Sequence, residues 1–333
     1  MKKSLMKVLR GTPKHLAKTG QLTGLTYLMI NLLFKCNSRC LKCFNRGKRL
    51  PVMTGKMISL TEILNKINEA KELGAKVVVL AGEGEPILDQ NCDTITSHVN
   101  ALEMIPIVYS NGSILTPSRA KFYHDQNVCL VVALDSLKPR TYRFLTETKG
   151  GRLSLVLKNL NNLRRIYADT VEESEEIRVV RLAINMTICS RNKTEIGSLK
   201  KLAGNDTYFI CNPLAREGNA LANWNRLVDS EADYAEHQRL ARLHSESGGP
   251  LTLDKTGVCG YSNNGLAISP FGDYMTCAYT SRTNGLLGTI WDRSLQEAYE
   301  LKHCAELRHY EKRGRVPCLV RDLNFEMFLK FFA

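Results

Sequence analysis

Three cysteines, Cys36, Cys40 and Cys43, fall within eight residues of the segment KCNSRCLKCFN, with the spacing C-x3-C-x2-C. An extended chain advances ~3.3–3.6 Å per residue, so this loop is long enough to wrap one metal cluster. Thiolates ligate iron–sulfur cubes, and three of them leave one iron of a [4Fe–4S] cluster without a protein ligand. An open coordination position separates a catalytic metal centre from a closed structural one, as it does for zinc. The competing readings are a zinc loop and a chance grouping. A structural zinc site ordinarily pairs C-x2-C with a second pair of ligands.

Four more segments carry candidate ligand contacts. GEGEP (82–86) follows an apolar run. Its glycines let backbone amides and carbonyls approach a ligand closely, and Pro86 fixes the turn. YSNGSIL (109–115) contains Asn111, ALDSLKPRTYRF (133–144) contains Ser136 and Arg143, and IRVVRLAINMTI (177–188) contains Asn185. A second set of cysteines, Cys259, Cys277, Cys304 and Cys318, lies in the last 75 residues. Cys92, Cys129, Cys189 and Cys211 stand alone, and free cysteine is commonly just buried.

Positioning these residues requires a scaffold, and the pattern predicts one. Apolar runs of strand type occur at 25–34, 76–82, 105–112, 128–136, 177–188 and 207–213. Between them lie helix signals. Ser59 and Glu62 form an S-x-x-E capping box for a helix ending near Gly74, and Thr116–Pro117 reads as N-cap and N1 of another. Strand–helix alternation with near-continuous apolar strands predicts an α/β fold with a parallel sheet covered by helices. Ligands of such sheets bind at the strand carboxyl ends, where the first three cysteines and GEGEP fall. Beyond 213 the chain predicts a polar helix at 229–247, a break at GGP (248–250), a β-hairpin at 265–277 turning at Phe271–Gly272–Asp273, and a helix at 295–312.

Composition narrows the function classes. The chain has 333 residues, 44% hydrophobic and 24% charged, an ordinary globular profile. No run approaches the ~18 apolar residues of a membrane span, and the basic N-terminus lacks the apolar region of a secretory signal. A cytoplasmic location is expected, and eleven cysteines there point to reduced thiols serving metal. The net charge of +13 favours an anionic partner. No block of five or six like charges marks a nucleic-acid arm, so nucleic acid is disfavoured.

The cysteine loop and the motifs after it, in this order, resemble the radical S-adenosylmethionine (SAM) superfamily. The resemblance implies a partial (β/α)6 TIM-like barrel, with a [4Fe–4S] cluster on Cys36, Cys40 and Cys43 whose open iron takes the SAM amino and carboxylate groups. Phe44 matches the aromatic that follows the third cysteine. Gly84, Glu85 and Pro86 match the GGEP motif, which contacts the SAM amino group. Asn111 lies in a TNG-like segment. Ser136 and Arg143 match a serine and a later arginine that bind SAM carboxylate and ribose, and Asn185 matches a polar SAM contact. The C-terminal segment resembles SPASM/twitch extensions, implying one auxiliary [4Fe–4S] cluster on Cys259, Cys277 and Cys318, with Cys304, Asp322 or no protein residue as the fourth ligand. Such an appendage is expected over the strand carboxyl ends.

The domains so implied are an N-terminal extension (1–23), a radical SAM core (24–215), a helical linker (216–250) and an auxiliary cluster domain (251–333). The implied activity is reductive cleavage of SAM to a 5′-deoxyadenosyl radical that takes hydrogen from a substrate. The electron comes from a flavodoxin- or ferredoxin-type donor. Only about 24 residues precede the first strand, so no fused leader-peptide domain is expected. That favours a small-molecule substrate (sugar, aminocyclitol or nucleoside-like) that is oxidised or rearranged in a biosynthetic pathway. Modification of a ribosomally made peptide is the alternative within the family. A non-catalytic metal-binding protein is the alternative outside it.

Overall fold

The computed structural model describes residues 25–32, 35–45, 56–173, 178–245, 265–277, 286–302 and 304. Strands β1 (Tyr27–Leu32), β2 (Val77–Gly82), β3 (Ile105–Ser110), β4 (Cys129–Ala133), β7 (Leu182–Ile188) and β8 (Tyr208–Pro213) are adjacent in that order and parallel throughout. The expected parallel α/β sheet is therefore present. Helices α1 (Leu60–Glu72), α2 (Cys92–Ala101), α3 (Pro117–Asp125), α4 (Pro139–Thr146), α5 (Arg152–Tyr167) and α6 (Ile196–Ala203) lie between its strands. The Ser59–Glu62 capping box forms as read, and the Thr116 side chain accepts from the Arg119 amide above Pro117 at N1.

The two faces of the sheet are buried differently. Leu28, Ile30, Val78, Leu80, Val108, Leu130 and Ile184 face the helices and share a core with Ile67, Val99, Tyr123 and Val156. The alternate set, including Tyr27, Met29, Val79, Ile107, Val131, Ala183 and Ile210, is also buried, in a cluster made of strand residues alone. No helical side chain among the described residues joins that cluster. Strand residues bury one another in this way when a sheet curls on itself, as in a barrel interior. Among the described residues the sheet does not close, which makes it a partial barrel.

The structure departs from the sequence reading in two places. The run 177–188 is not one strand. Arg178–Val179 (β6) pairs antiparallel with Glu172–Glu173 (β5), and β7 starts only at Leu182. Between them Arg181 is buried, with its guanidinium donating to the Asn127 carbonyl at 2.6 Å. The C-terminal hairpin of β9 (Gly265–Ile268) and β10 (Asp273–Met275), with β11 (Leu286–Thr289), does not form a sheet of its own. β9 adds parallel to β1, extending the same nine-stranded sheet. Gly265 makes this junction possible, because a Cβ there would lie 2.2 Å from the Tyr27 ring. The fully buried Lys302, in the helical stretch from 295, donates to the Gly265 carbonyl at 2.6 Å.

Candidate functional site

The loop of Cys36, Cys40 and Cys43 leaves the carboxyl end of β1, and neighbouring loops hold it through its backbone. The Arg39 and Leu41 amides donate to the carbonyls of Thr146 and Leu145 at the end of α4 (3.1 and 2.9 Å). The Cys43 carbonyl accepts from the Ala220 amide (3.1 Å), and the Cys40 carbonyl from the Asn219 side chain (3.2 Å). Both residues belong to α7 (Gly218–Ala222). Gly218, at φ +55°, lies so close to the loop that a Cβ would stand 2.1 Å from the Phe44 carbonyl oxygen. Asn45 donates to the Gly82 carbonyl, and the Glu85 amide to that of Lys35 (2.9 Å). With its backbone fastened, the loop leaves all three thiols half-buried.

Successive side chains of the loop point opposite ways. Leu41 packs into a small core with Leu145, Leu214, Ala220 and Leu227. Lys42 turns to the sheet, paired with Asp135 (2.7 Å) and bonded to Thr187 (3.1 Å). Burial opposes the charge on Lys42, but Asp135 and the Cys40 thiol outweigh it and hold the ammonium above its ordinary range. Burial pushes the Cys40 thiol up to about 12, against the pull of Lys42, and the neighbouring Cys43 and Cys36 raise it further. A bound cation is what would make such a thiol ionise, since coordination deprotonates thiols outright. Three soft donors on one loop, with a lysine beside them, fit a cluster that takes three protein thiolates.

The other expected residues sort into three groups. Glu85 and Asn111 brace the loop. Glu85 Oε2 accepts from the Asn111 amide (2.7 Å), and the Asn111 side chain donates to Asn37 Oδ1 (2.7 Å), one residue from Cys36. Burial raises the Glu85 carboxyl to about 7, and its Oε1 has no partner among the described residues. Gly84 is half-buried and Pro86 buried beside it, in a turn so tight that a Cβ on Gly82 would meet the Gly84 carbonyl at 2.6 Å. Asn185 faces the barrel interior, joined to Asn212 (2.7 Å).

Ser136 and Arg143 are placed otherwise than expected. Ser136 is fully buried, its hydroxyl donating to Glu195 (2.8 Å) and accepting from the Lys138 amide, which turns the chain into α4. Arg143 is exposed on α4, whose buried side is Tyr142, Leu145 and Thr146. Strand parity explains the first case. Val131 faces inward and Leu134 the helices, so Asp135, not Ser136, is the polar residue of this segment on the inner side. That alternation was readable in VVALDS, whereas Lys42 and Gly218 carried no signal. Asn31 was also missed. It is fully buried on the inner face of β1, and neither amide atom has a partner among the described residues.

Of the second cysteine set, Cys259 and Cys318, with Asp322, lie outside the described residues. Cys277 is half-buried, and the exposed Cys304 lies two residues past Lys302. Register corrects the expected position of Cys277. β10 runs antiparallel to β9, Met275 pairs with Ala267, and Ala267 with Met29. The chain thus reaches Cys277 at the amino end of β1, not over the carboxyl ends. Five steps along β1 separate the two ends by ~17 Å. Among the described residues, no three of His, Cys, Asp and Glu gather closely enough for a single ion. Cys92, Cys189 and Cys211 are buried thiols pushed up to about 12 by burial, as packing residues are.

Residues 30–172 match the Radical SAM superfamily. A GTP 3′,8-cyclase of Limosilactobacillus fermentum is 30% identical over 256 residues, covering 73% of this chain and 71% of that protein. A GTP 3′,8-cyclase of Clostridium perfringens is 28% identical over 214 residues, covering 60% of this chain and 65% of that protein, so the chain spans less than two thirds of that relative. Among solved structures, Streptococcus suis SuiB bound to S-adenosylmethionine aligns with a TM-score of 0.58 at 15% identity, covering 85% of this chain and 67% of that one. anSMEcpe with bound AdoMet aligns at 0.53 and 13% identity, covering 92% and 95%. At these identities the structural likeness is one of fold.

Proposed function

The chain belongs to the radical SAM superfamily, and on that premise we propose that it cleaves SAM at Cys36, Cys40 and Cys43 and acts on a small, nucleoside-like molecule inside the barrel. The observation that carries the reading is the cysteine loop itself: three half-buried thiols, fastened by backbone at the carboxyl end of β1. When bound, the cluster with SAM supplies a carbon-centred radical able to take a hydrogen atom from a substrate C–H bond. The protein's part is to hold, orient and exclude water.

The turn at Gly84–Pro86 brings backbone groups near the loop, and Glu85 and Asn111 lock that turn to it. Lys42 and Asp135 provide a fixed charge pair between loop and sheet. Asn185, paired to Asn212, and the unsatisfied amide of Asn31 offer hydrogen bonds on the inner face. A buried amide without a partner is costly, so a polar ligand reaching Asn31 would relieve that cost. The GTP-cyclising activity named for the relatives, together with the net charge of +13, supports an anionic nucleoside-like substrate. For the C-terminal cysteines, an auxiliary cluster that includes Cys277 and lies at the amino end of the strands is the corresponding proposal.

The test is anaerobic reconstitution with iron and sulfide, reduction by dithionite, and chromatography of 5′-deoxyadenosine with and without nucleoside triphosphates or sugars. Formation of 5′-deoxyadenosine that rises with a nucleotide supports the reading. Its absence from a protein that has taken up iron would overturn SAM cleavage, and stimulation only by sugars would overturn the substrate class.

A further inference from the structure

A groove of about 460 Å³ is lined by Arg140, Thr141, Phe144, Arg191, Asn225 and Arg226, on elements next to the cysteine loop. Its three arginines are exposed, and among the described residues none is paired with a carboxylate. Instead the Arg226 guanidinium lies 5.2 Å from the Phe144 ring centroid, and Arg191 donates to the Arg226 carbonyl (3.2 Å). Guanidinium groups gathered without counter-charges repel one another and attract an anionic surface.

The groove's walls touch the cysteine loop on two sides. α4, which carries Arg140 and Phe144, ends in the carbonyls that accept from Arg39 and Leu41. The α7 segment, which runs on into α8 (Trp224–Leu227) with Arg226, donates to the Cys43 carbonyl. Phe144 packs against the small core that holds Leu41, the residue between Cys40 and Lys42. Lys42 points the other way, to the sheet. The cysteine loop thus packs against the two elements that carry the groove, while its Lys42 faces the sheet.

We propose that this groove is where an acidic one-electron carrier protein, bearing a flavin or an iron–sulfur cluster, docks to reduce the cluster on the cysteine loop. The proposal rests on the radical SAM reading above. Each productive encounter moves one electron. The carrier's cofactor loses it and this protein's cluster gains it, with no atom transferred. A groove that is open and faced by exposed charges suits a transient protein contact, which is steered by charge and released quickly. Docking on these elements leaves the sheet side of the loop to SAM and substrate.

The experiment compares wild type with Arg140→Glu/Arg191→Glu, and with Lys121→Glu as a charge-changing control on α3. Binding of an oxidised flavodoxin is followed by fluorescence anisotropy at several salt concentrations, and 5′-deoxyadenosine is measured with reduced flavodoxin and with dithionite. The expected result is flavodoxin binding at least ~10-fold weaker in the double variant, a loss of ~1.4 kcal/mol or more, with a shallower salt dependence. Carrier-driven turnover falls alike, dithionite-driven turnover is unchanged, and the control behaves as wild type. Equal binding and equal carrier-driven turnover in the double variant would overturn the docking site. So would loss of binding to a poly-glutamate peptide or an RNA oligonucleotide alone, which would assign the groove to another class of ligand. A wild type that makes no 5′-deoxyadenosine with dithionite defeats the functional reading instead, while the binding measurement still decides the docking.

Discussion

The two cysteine-bearing ends of the sheet are built in different ways. At the carboxyl end of β1, the loop of Cys36, Cys40 and Cys43 is held by hydrogen bonds from the β2, α4 and α7 segments, and its neighbours Glu85 and Asn111 are locked to it. At the amino end, Cys277 lies two residues past the end of β10, and the hairpin is anchored by sheet register, by Gly265 against Tyr27 and by Lys302. Carboxyl-end loops of parallel strands converge, so several of them can fasten one segment. The hairpin at the edge is positioned by its ladder with β1, by the Ile58 amide on the Pro270 carbonyl and by Lys302. The first end is suited to holding a reactive centre in one geometry, the second to adding a separate centre without disturbing the first.

Six substitutions test this contrast, and the largest effect is expected at the carboxyl end. Replacing Cys36, Cys40 or Cys43 by Ala should bring 5′-deoxyadenosine to background, because two thiolates do not retain the open-iron cube. Turnover near wild type in any of the three would break the assignment. At the amino end, Cys277→Ala should keep SAM cleavage while iron after reconstitution drops from about eight to about four per chain, as expected for one [4Fe–4S] cluster out of two. If 5′-deoxyadenosine vanishes as well, the two ends are not independent.

Gly218→Ala probes how the loop is held. A Cβ would collide with the Phe44 carbonyl, and φ +55° is itself unfavourable for alanine. The cost should be ~1–3 kcal/mol, read as a lower unfolding midpoint and poorer iron uptake on Cys36, Cys40 and Cys43, with Cys277-dependent iron unaffected.

The effect expected only as a change in pH dependence concerns Glu85. Burial raises its carboxyl to about 7 from an ordinary 4.5, so the folded protein keeps a proton that the unfolded chain releases. That contribution to stability is complete below about pH 4.5 and is lost as pH rises through 7. Glu85→Gln should flatten the decline, which amounts to up to roughly 3 kcal/mol over this window. Denaturant titrations of iron-free protein at pH 4.5 and 8 measure it. An unchanged slope would show that Glu85 does not carry the pH dependence of this brace.

Local pattern alone determined a good deal here. The six parallel strands were legible as β-branched and apolar runs, because a strand buried on both faces needs them, and the Ser59 and Thr116 caps were legible because capping is a contact within one turn. The cysteine loop was legible because ligands to one cluster are close in sequence as well as in space. Other features depended on contacts between segments far apart in the chain. That Ser136 meets Glu195 while Asp135 meets Lys42 depends on which side of β4 faces inward at its end. The pairing of β9 with β1 joins residues more than 200 positions apart, and it carries Cys277 to the amino end of the sheet. The groove of Arg140, Arg191 and Arg226 gathers three segments that share no pattern in sequence. Hydrophobic periodicity records which residues are buried, but not which distant segment buries them. For this chain that choice is made by strand register and by close approaches such as Gly218 to the Phe44 backbone and Gly265 to the Tyr27 ring, where a missing Cβ leaves the room.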